Sequence, residues 1–236
     1  MDRLKKLLLV GVVLCVNFNV SAQTLPFRFG IKAGLNLSSA TVSDATNTDL
    51  KTGYHIGGTV EYLLSEKFLI QSGLFFSTKG AKIYELNGSD QIGGGRPDWT
   101  HTFNELYLEL PLYGAYKMNL SRNLNIVLGV GPYFGYGIGG ETEHKLNSGI
   151  WADGSTERKW NTFGDGVFDE GRDWLRGETL KRLDIGIGIG VDLEYRKFIL
   201  GIGYGHSLKN LAENDYYDDD LKYRNNNIQF SIGYKF

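Results

Sequence analysis

Cysteine, proline and methionine are scarce in this sequence, which has one, four and two of them among 236 residues. The only cysteine, Cys15, lies in an N-terminal segment that we predict is removed. The mature chain would then have no disulfide, no thiolate metal ligand and no cysteine nucleophile. After residue 22 no apolar run approaches the roughly 20 residues of a membrane-spanning helix. A dense basic face is also missing, since 27 acidic residues outnumber 25 basic ones, and this disfavours a nucleic-acid partner.

Residues 1–22 are typical of a secretory signal peptide. Three basic residues precede an apolar run over 7–16, and Ala22 ends a small-residue cleavage site. An uncleaved membrane helix is the alternative, but the apolar run has about half the length that spanning requires. The leucine before Cys15 also disfavours a lipid anchor. We predict a signal peptide over 1–22 and a single domain over 23–236.

Glycine and aromatic residues are abundant: there are 32 glycines, and 13% of the chain is aromatic. Eight segments alternate between large apolar residues and small or polar ones, which is the pattern of strands with one apolar and one polar face. The segments are 27–37, 54–64, 68–77, 105–116, 124–138, 182–195, 198–207 and 228–236. The connections between them are alternately long and short, as in transmembrane barrels. The long connections are 38–52, 78–103, 139–181 and 209–225.

These patterns predict an all-β fold: an eight-stranded antiparallel up-and-down transmembrane β-barrel in the outer membrane. Ten strands remain an alternative because 139–181 is long enough to hold another hairpin. An even strand number places both termini on one side, which we expect to be periplasmic. The other alternative is a secreted β-sandwich, whose polar faces would meet water. Here glycine dominates the polar faces, as the interior of a narrow barrel requires.

Charged residues interrupt the predicted inward faces. They are Arg28, Lys32, Glu61, Glu109, Asp192, Glu194 and Lys235. Unpaired charges are costly in a medium of low dielectric constant, so we expect these groups to form ion pairs that fill the lumen. Our hypothesis is that Arg28 and Lys235, on the first and last strands, meet carboxylates across the lumen. A proton or ion path is the alternative, and it would need a continuous water route.

The C-terminal segment carries a second predicted function. Ile232, Tyr234 and Phe236 form its apolar face, and the chain ends on an aromatic residue. Outer-membrane barrels end in this way, so we predict that these residues are the signal for the barrel-assembly machinery. Lipid of the outer membrane is the other expected partner of the barrel.

Three segments carry a family resemblance: 30–38 (GIKAGLNLS), 106–112 (LYLELPL) and 182–186 (RLDIG). Through them the whole mature chain resembles the PorT-like outer-membrane β-barrel family of Gram-negative bacteria. The resemblance implies a barrel with no catalytic residues. It also implies a link to protein secretion across the outer membrane, because the namesake of the family is implicated in such a system.

No motif in the chain predicts a catalytic, cofactor or metal site. The glycine runs lack the G-x-G-x-x-G order and the following helix of a dinucleotide site. His101 and His144 lie on separate long connections, and no H-E-x-x-H motif is present. The acidic run 215–220 lacks the ligand spacing of a calcium loop. An outer-membrane acyltransferase or protease remains an alternative that assays on refolded protein would test.

All four tryptophans lie in the second and third long connections: Trp99, Trp151, Trp160 and Trp174. The fourth long connection contains Tyr216 and Tyr217. Such residues either recognise a partner or anchor a barrel in the headgroup region. We therefore predict a non-enzymatic structural or interaction protein, accessory to a secretion or surface-assembly complex, which would supply its protein partners. A narrow pore for small solutes or ions is the main alternative.

Overall fold

The computed structural model describes residues 26–42, 47–86, 98–148, 157–163, 180–212 and 222–236. The predicted signal peptide over 1–22 lies outside the described residues. Trp151, Trp174, Tyr216 and Tyr217 lie outside them as well. Within the described part of the chain, no helix is long and apolar enough to cross a membrane.

The described residues form thirteen strands in two sheets. In chain order these are β1 (Phe27–Val42), β2 (Asn47–Asp49), β3 (Lys51–Leu63), β4 (Phe68–Lys79), β5 (Lys82–Leu86), β6 (Asp98–Phe103), β7 (Glu105–Asn119), β8 (Leu124–Gly139), β9 (Glu141–Ser148), β10 (Glu157–Asn161), β11 (Leu183–Tyr195), β12 (Phe198–Ser207) and β13 (Tyr223–Lys235). Eight of them close into a barrel with the order β1-β13-β12-β11-β8-β7-β4-β3. All neighbours are antiparallel, and β1 pairs with β13 from Gly30–Lys235 to Val42–Tyr223. The predicted eight-stranded antiparallel barrel is confirmed.

Side chains alternate between the two faces of the barrel wall as the sequence predicts. On β11, Ile189 is 56% exposed on the exterior, whereas Asp192 is 9% exposed in the interior. At the end of the barrel that has the short turns, which we call the turn end, aromatic rings pair across neighbouring strands on the exterior. The pairs are Phe27–Tyr62, Phe68–Tyr116 and Phe198–Tyr234, with ring centroids 4.9, 5.2 and 5.4 Å apart. The exterior therefore has the apolar band and aromatic girdle of a transmembrane barrel.

A second sheet continues the wall at the opposite end, which we call the loop end. This extension sheet has the order β10-β9-β6-β5-β2. The wall strands β4 and β8 pass into β5 and β9 at Gly80 and Gly140, whose φ angles are 139° and 153°. A Cβ at these two positions would collide with the carbonyl oxygens of Phe103 and Asn104, respectively. Glycine therefore allows the wall to change direction where the barrel ends.

The ten-strand alternative is wrong, although 139–181 does contain a further hairpin. The hairpin is β9–β10, with Arg158 opposite His144, and it belongs to the extension sheet. The long connections also start later than predicted, because β1 and β4 continue to Val42 and Lys79. The extension strands were not predicted because they lack the alternation of bulky apolar and small residues that a wall between lipid and a narrow lumen requires.

Candidate functional site

Most of the predicted inward charges meet near the turn end of the lumen. We call this group the turn-end ion cluster: Lys32, Glu61, Lys117, Asp192, Glu194 and Lys235. Lys235 Nζ lies 2.6 Å from Glu61 Oε1 and also forms an ion pair with Glu194. Lys117 Nζ lies 3.2 Å from the other oxygen of Glu194. Four strands, β3, β7, β11 and β13, are thus joined across the lumen.

The same cluster includes a second ion pair, which a glutamine connects to the first group. Lys32 Nζ lies 2.6 Å from Asp192 Oδ2. Gln71 Nε2 donates to Glu61 Oε1 at 3.0 Å and approaches Asp192 Oδ2 at 3.5 Å. Three lysines therefore face three carboxylates, so the charges of the cluster balance. Balanced, hydrogen-bonded pairs are the form in which buried charges are tolerated.

A loop-end ion cluster, Lys79, Glu109 and Asp184, lies further along the lumen. Lys79 is 3% exposed; it forms an ion pair with Glu109 and lies 3.6 Å from Asp184 Oδ2. Ser207 Oγ donates to Asp184 Oδ1 at 2.7 Å, and Tyr133 OH donates to Asp184 Oδ2 at 3.3 Å. Here one lysine is the counter-charge of two carboxylates, and the hydroxyl groups of Ser207 and Tyr133 stabilise that of Asp184.

A buried apolar cluster, which we call the apolar cap, lies at the loop end of the lumen. It consists of Ala40, Ala81, Ile83, Phe103, Tyr107, Phe163, Leu180, Leu211, Ala212 and Tyr223, all of them buried. Below the cap, the buried carboxylate of Glu105 accepts hydrogen bonds from Tyr223 OH at 2.7 Å and Asn225 Nδ2 at 2.6 Å. The cap joins residues of the barrel wall to residues of the extension sheet, so the two sheets share one apolar core.

An internal cavity of about 120 Å³ separates the two ion clusters, and a fixed histidine lines it. Asn36 Nδ2 donates to Ser77 Oγ at 3.0 Å, which leaves Asn36 Oδ1 to accept from His55 Nδ1 at 2.8 Å. His55 Nε2 then accepts from Ser231 Oγ at 2.9 Å. Both ring nitrogens of His55 are thus occupied by neighbours in the wall.

Six of the seven predicted lumen charges therefore lie in the two clusters, and Arg28 does not. Arg28 lies opposite Glu61 in the register of β1 and β3, one pair inside the terminal pair Phe27–Tyr62 at the turn end. Its side chain is exposed, and among the described residues no carboxylate forms an ion pair with it. Arg28 lies at the rim, where water can solvate the guanidinium, and Glu61 pairs with Lys235 instead.

Three charged residues of the clusters are missing from the sequence prediction: Lys79, Lys117 and Asp184. Lys79 lies in the predicted long connection 78–103, and Lys117 lies one residue beyond the predicted strand 105–116. Both are in phase with the inward residues of their strands, since Ser77 and Ala115 precede them by two positions and are buried. Extending the two-residue alternation of these two strands by one more repeat identifies both lysines as inward residues.

The C-terminal residues face the exterior at the turn end. Ile232 and Phe236 are 65% and 71% exposed. The Tyr234 ring lies 5.9 Å from that of Phe236. The backbone N–H of Phe236 donates to the carbonyl oxygen of Phe29 at 3.0 Å. The predicted assembly signal thus lies on the seam where the first and last strands meet.

The extension sheet positions two of the predicted tryptophans and brings two histidines together. Trp99 lies on β6, and Trp160 lies half-buried on β10 with its ring 6.1 Å from that of His144. His101 on β6 lies directly opposite His144 on β9, and their Nδ1 atoms are 3.2 Å apart. Burial lowers the pKa of His101 below its usual value. Among the described residues, no group of three or more His, Cys, Asp or Glu side chains could hold a metal ion.

Replacing Glu61 by glutamine is expected to lower the free energy of unfolding by about 1–3 kcal/mol. The amide keeps the shape of the side chain but leaves Lys235 with one charged partner, Glu194. The measurement is urea unfolding of the barrel in detergent micelles. Glu66→Gln is the matched control, because Glu66 is exposed in a short turn. Equal stability of the two variants would contradict the assigned role of Glu61.

Comparison with known proteins identifies a family. The family model described as outer membrane protein beta-barrel domain matches residues 21–213, and no curated protein matches the chain. Similar solved structures include the attachment invasion locus protein Ail of Yersinia pestis, which is 11% identical, with 90% of this chain and 100% of that chain covered and a TM-score of 0.40. Neisserial surface protein A is 10% identical, with 88% and 97% covered and a TM-score of 0.39. OprG of Pseudomonas aeruginosa is 12% identical, with 89% and 95% covered and a TM-score of 0.38. Because the family model covers most of its length, this chain belongs to the outer membrane protein beta-barrel domain family, whose members are located in the outer membrane.

Proposed function

We propose that this barrel is a non-enzymatic interaction protein and an accessory of a secretion or surface-assembly complex. The observation that carries the proposal is the extension sheet, a folded continuation of the barrel wall. The resemblance of the sequence to PorT-like barrels supports the same class of function. The lumen supports it indirectly, because ion pairs and an apolar cap fill much of the space that a substrate or a permeant solute would need.

The exposed face of the extension sheet has the chemistry of a protein-binding surface. Lys145, Glu157 and Lys159 are exposed on neighbouring strands. Lys159 Nζ lies 3.0 Å from Glu157 Oε1 and 3.7 Å from Glu141 Oε1. Exposed pairs of this kind contribute little to stability. Their charges are therefore available to give a partner specificity and a defined orientation.

The proposal includes an orientation in the membrane. The turn end, with both termini, faces the periplasm, and the extension sheet lies outside the cell. The exterior apolar band contacts the lipid of the outer membrane, and the barrel-assembly machinery recognises the strand that contains Ile232, Tyr234 and Phe236. Short periplasmic turns and long external loops are the usual arrangement in barrels of this kind.

The test is a pull-down from outer membranes of the native host, using the intact protein and a variant with reversed charges at Lys145, Glu157 and Lys159. We expect a reproducible companion protein with the wild type and its loss with the variant. Both proteins must show the same heat-modifiable mobility on gels, so that a folding defect is not mistaken for lost binding. Equal recovery of the companion by both proteins would refute binding through the extension sheet.

A narrow pore is the second candidate function, because the lumen contains a cavity lined by charged groups of both ion clusters. Conduction needs the cavity to connect to water at both ends, through the apolar cap and past the turn-end ion cluster. Eight-stranded barrels have interiors that side chains nearly fill. We therefore expect no steady openings in planar bilayers. Steady single-channel currents from the refolded barrel would favour the pore.

A further inference from the structure

A pair of histidines in the extension sheet has the spacing of two metal ligands. His101 and His144 lie directly opposite each other on β6 and β9, so their side chains share one face of the sheet. Their Nδ1 atoms are 3.2 Å apart, and the ring planes meet at 83°. Zn²⁺ binds imidazole nitrogen at about 2.0–2.1 Å, so two ligands of one ion lie about 2.9 Å apart at a right angle and about 3.4 Å apart at the tetrahedral angle. The observed spacing falls between these two values.

The hydrogen-bonding state of the pair suits metal binding. A hydrogen bond between the two Nδ1 atoms requires one of them to be protonated and the other to accept. Moving that proton to Nε2 of the same ring keeps the imidazole neutral and frees a second lone pair. A small rotation of one ring about its Cβ–Cγ bond then directs both lone pairs to a common point.

We propose that His101 and His144 bind one divalent transition-metal ion through their Nδ1 atoms. The described residues offer no third His, Cys, Asp or Glu side chain at this position, and the proposal concerns the two imidazoles alone. Imidazole ligands suit Cu²⁺, Ni²⁺ and Zn²⁺, and Cu²⁺ binds most tightly in this series. The ion would join two neighbouring extension strands without any contribution from the lumen. This inference is independent of the proposed function.

The structure also supplies a spectroscopic probe of the site. The Trp160 ring lies 6.1 Å from that of His144, and a paramagnetic ion bound at the pair would quench its fluorescence. Titration of Cu²⁺ into the refolded full-length mature protein, made without a polyhistidine tag, tests the proposal. Competition with a chromogenic chelator gives the affinity, and electron paramagnetic resonance reports the number of nitrogen ligands. We expect one ion per chain, two nitrogen ligands and quenched tryptophan fluorescence.

Variants of the two histidines test whether Cu²⁺ binds at this pair. His101→Ala and His144→Ala should each weaken Cu²⁺ binding by about tenfold or more, since the loss of an outer-shell partner alone costs about 10–100-fold. His206→Ala is the matched control, because His206 is half-buried on β12 and its Nδ1 is hydrogen-bonded to Asn226 Oδ1 at 2.7 Å. This variant should bind Cu²⁺ as the wild type does. His101→Asn and His144→Asn repeat the test should either alanine variant fail to fold. Absence of tight binding by the wild type, or unchanged binding by a folded variant of the pair, would overturn the proposal.

Discussion

Replacing Lys79 by methionine will lower the free energy of unfolding of the barrel by about 3–5 kcal/mol, the usual cost of removing one partner from a buried ion pair. Lys79 is the only described cation that forms ion pairs with Glu109 and Asp184. Its removal leaves two carboxylates in the lumen without a counter-charge. Methionine fills a volume similar to that of lysine, so the loss of stability would come from the missing charge and not from poorer packing. The measurement is urea unfolding in detergent micelles, followed by tryptophan fluorescence.

Two further variants separate this effect from general fragility of the barrel. Lys159→Met removes an exposed lysine from the extension sheet and should change stability by no more than about 0.5 kcal/mol. The double variant Lys79→Met, Glu109→Leu should recover part of the loss, because it removes one of the two uncompensated carboxylates. Should Lys79→Met be as stable as Lys159→Met, the loop-end ion cluster would have no structural importance.

Deleting Phe236 will reduce the amount of barrel in the outer membrane several-fold. The deletion removes one backbone hydrogen bond, from Phe236 N–H to the carbonyl oxygen of Phe29, which is worth about 0.5–1.5 kcal/mol. That is small for the folded state, so we attribute the expected loss of yield to the assembly step, at which we propose that the C-terminal strand is recognised. The measurement is the amount of heat-modifiable barrel in outer-membrane fractions, together with the stability of the refolded truncated protein.

Phe68→Ala is the control for the truncation. Phe68 is also an exposed aromatic residue at the turn end, and it pairs with Tyr116, but it lies far from the C-terminus in sequence. Its replacement should leave the yield close to that of the wild type. Unaltered insertion of the chain that lacks Phe236 would show that the assembly machinery does not depend on this residue.

The barrel itself was predictable because the two faces of its wall meet different environments, lipid on the exterior and a narrow lumen inside. Residues such as Ile187, Ile189 and Val191 must be apolar on the lipid side, and Gly186, Gly188 and Gly190 must be small in the lumen. This alternation is visible without any knowledge of strand pairing. The extension sheet has no such constraint, and β5 and β6 contain sequences such as Lys82-Ile83-Tyr84 and Thr100-His101-Thr102. Without that alternation, the sequences of these segments cannot be distinguished from those of irregular connections.

The partners of the buried charges were less predictable than their positions. Which lysine meets Glu194 depends on the stagger of four strands around the barrel, and residues as far apart as Lys117 and Lys235 meet there. The pairing of His101 with His144 depends in the same way on the register of β6 with β9. No short turn joins β6 to β9, because β7 and β8 lie between them in the chain, so turn length could not indicate their register.

The height of the extension sheet determines what can reach it. A strand rises about 3.4 Å per residue, so the eight residues of β9 carry the sheet as much as 27 Å past Gly140. In the orientation proposed above, its tip would stand outside the membrane. A partner too large to enter the lumen could then reach these strands without contacting lipid.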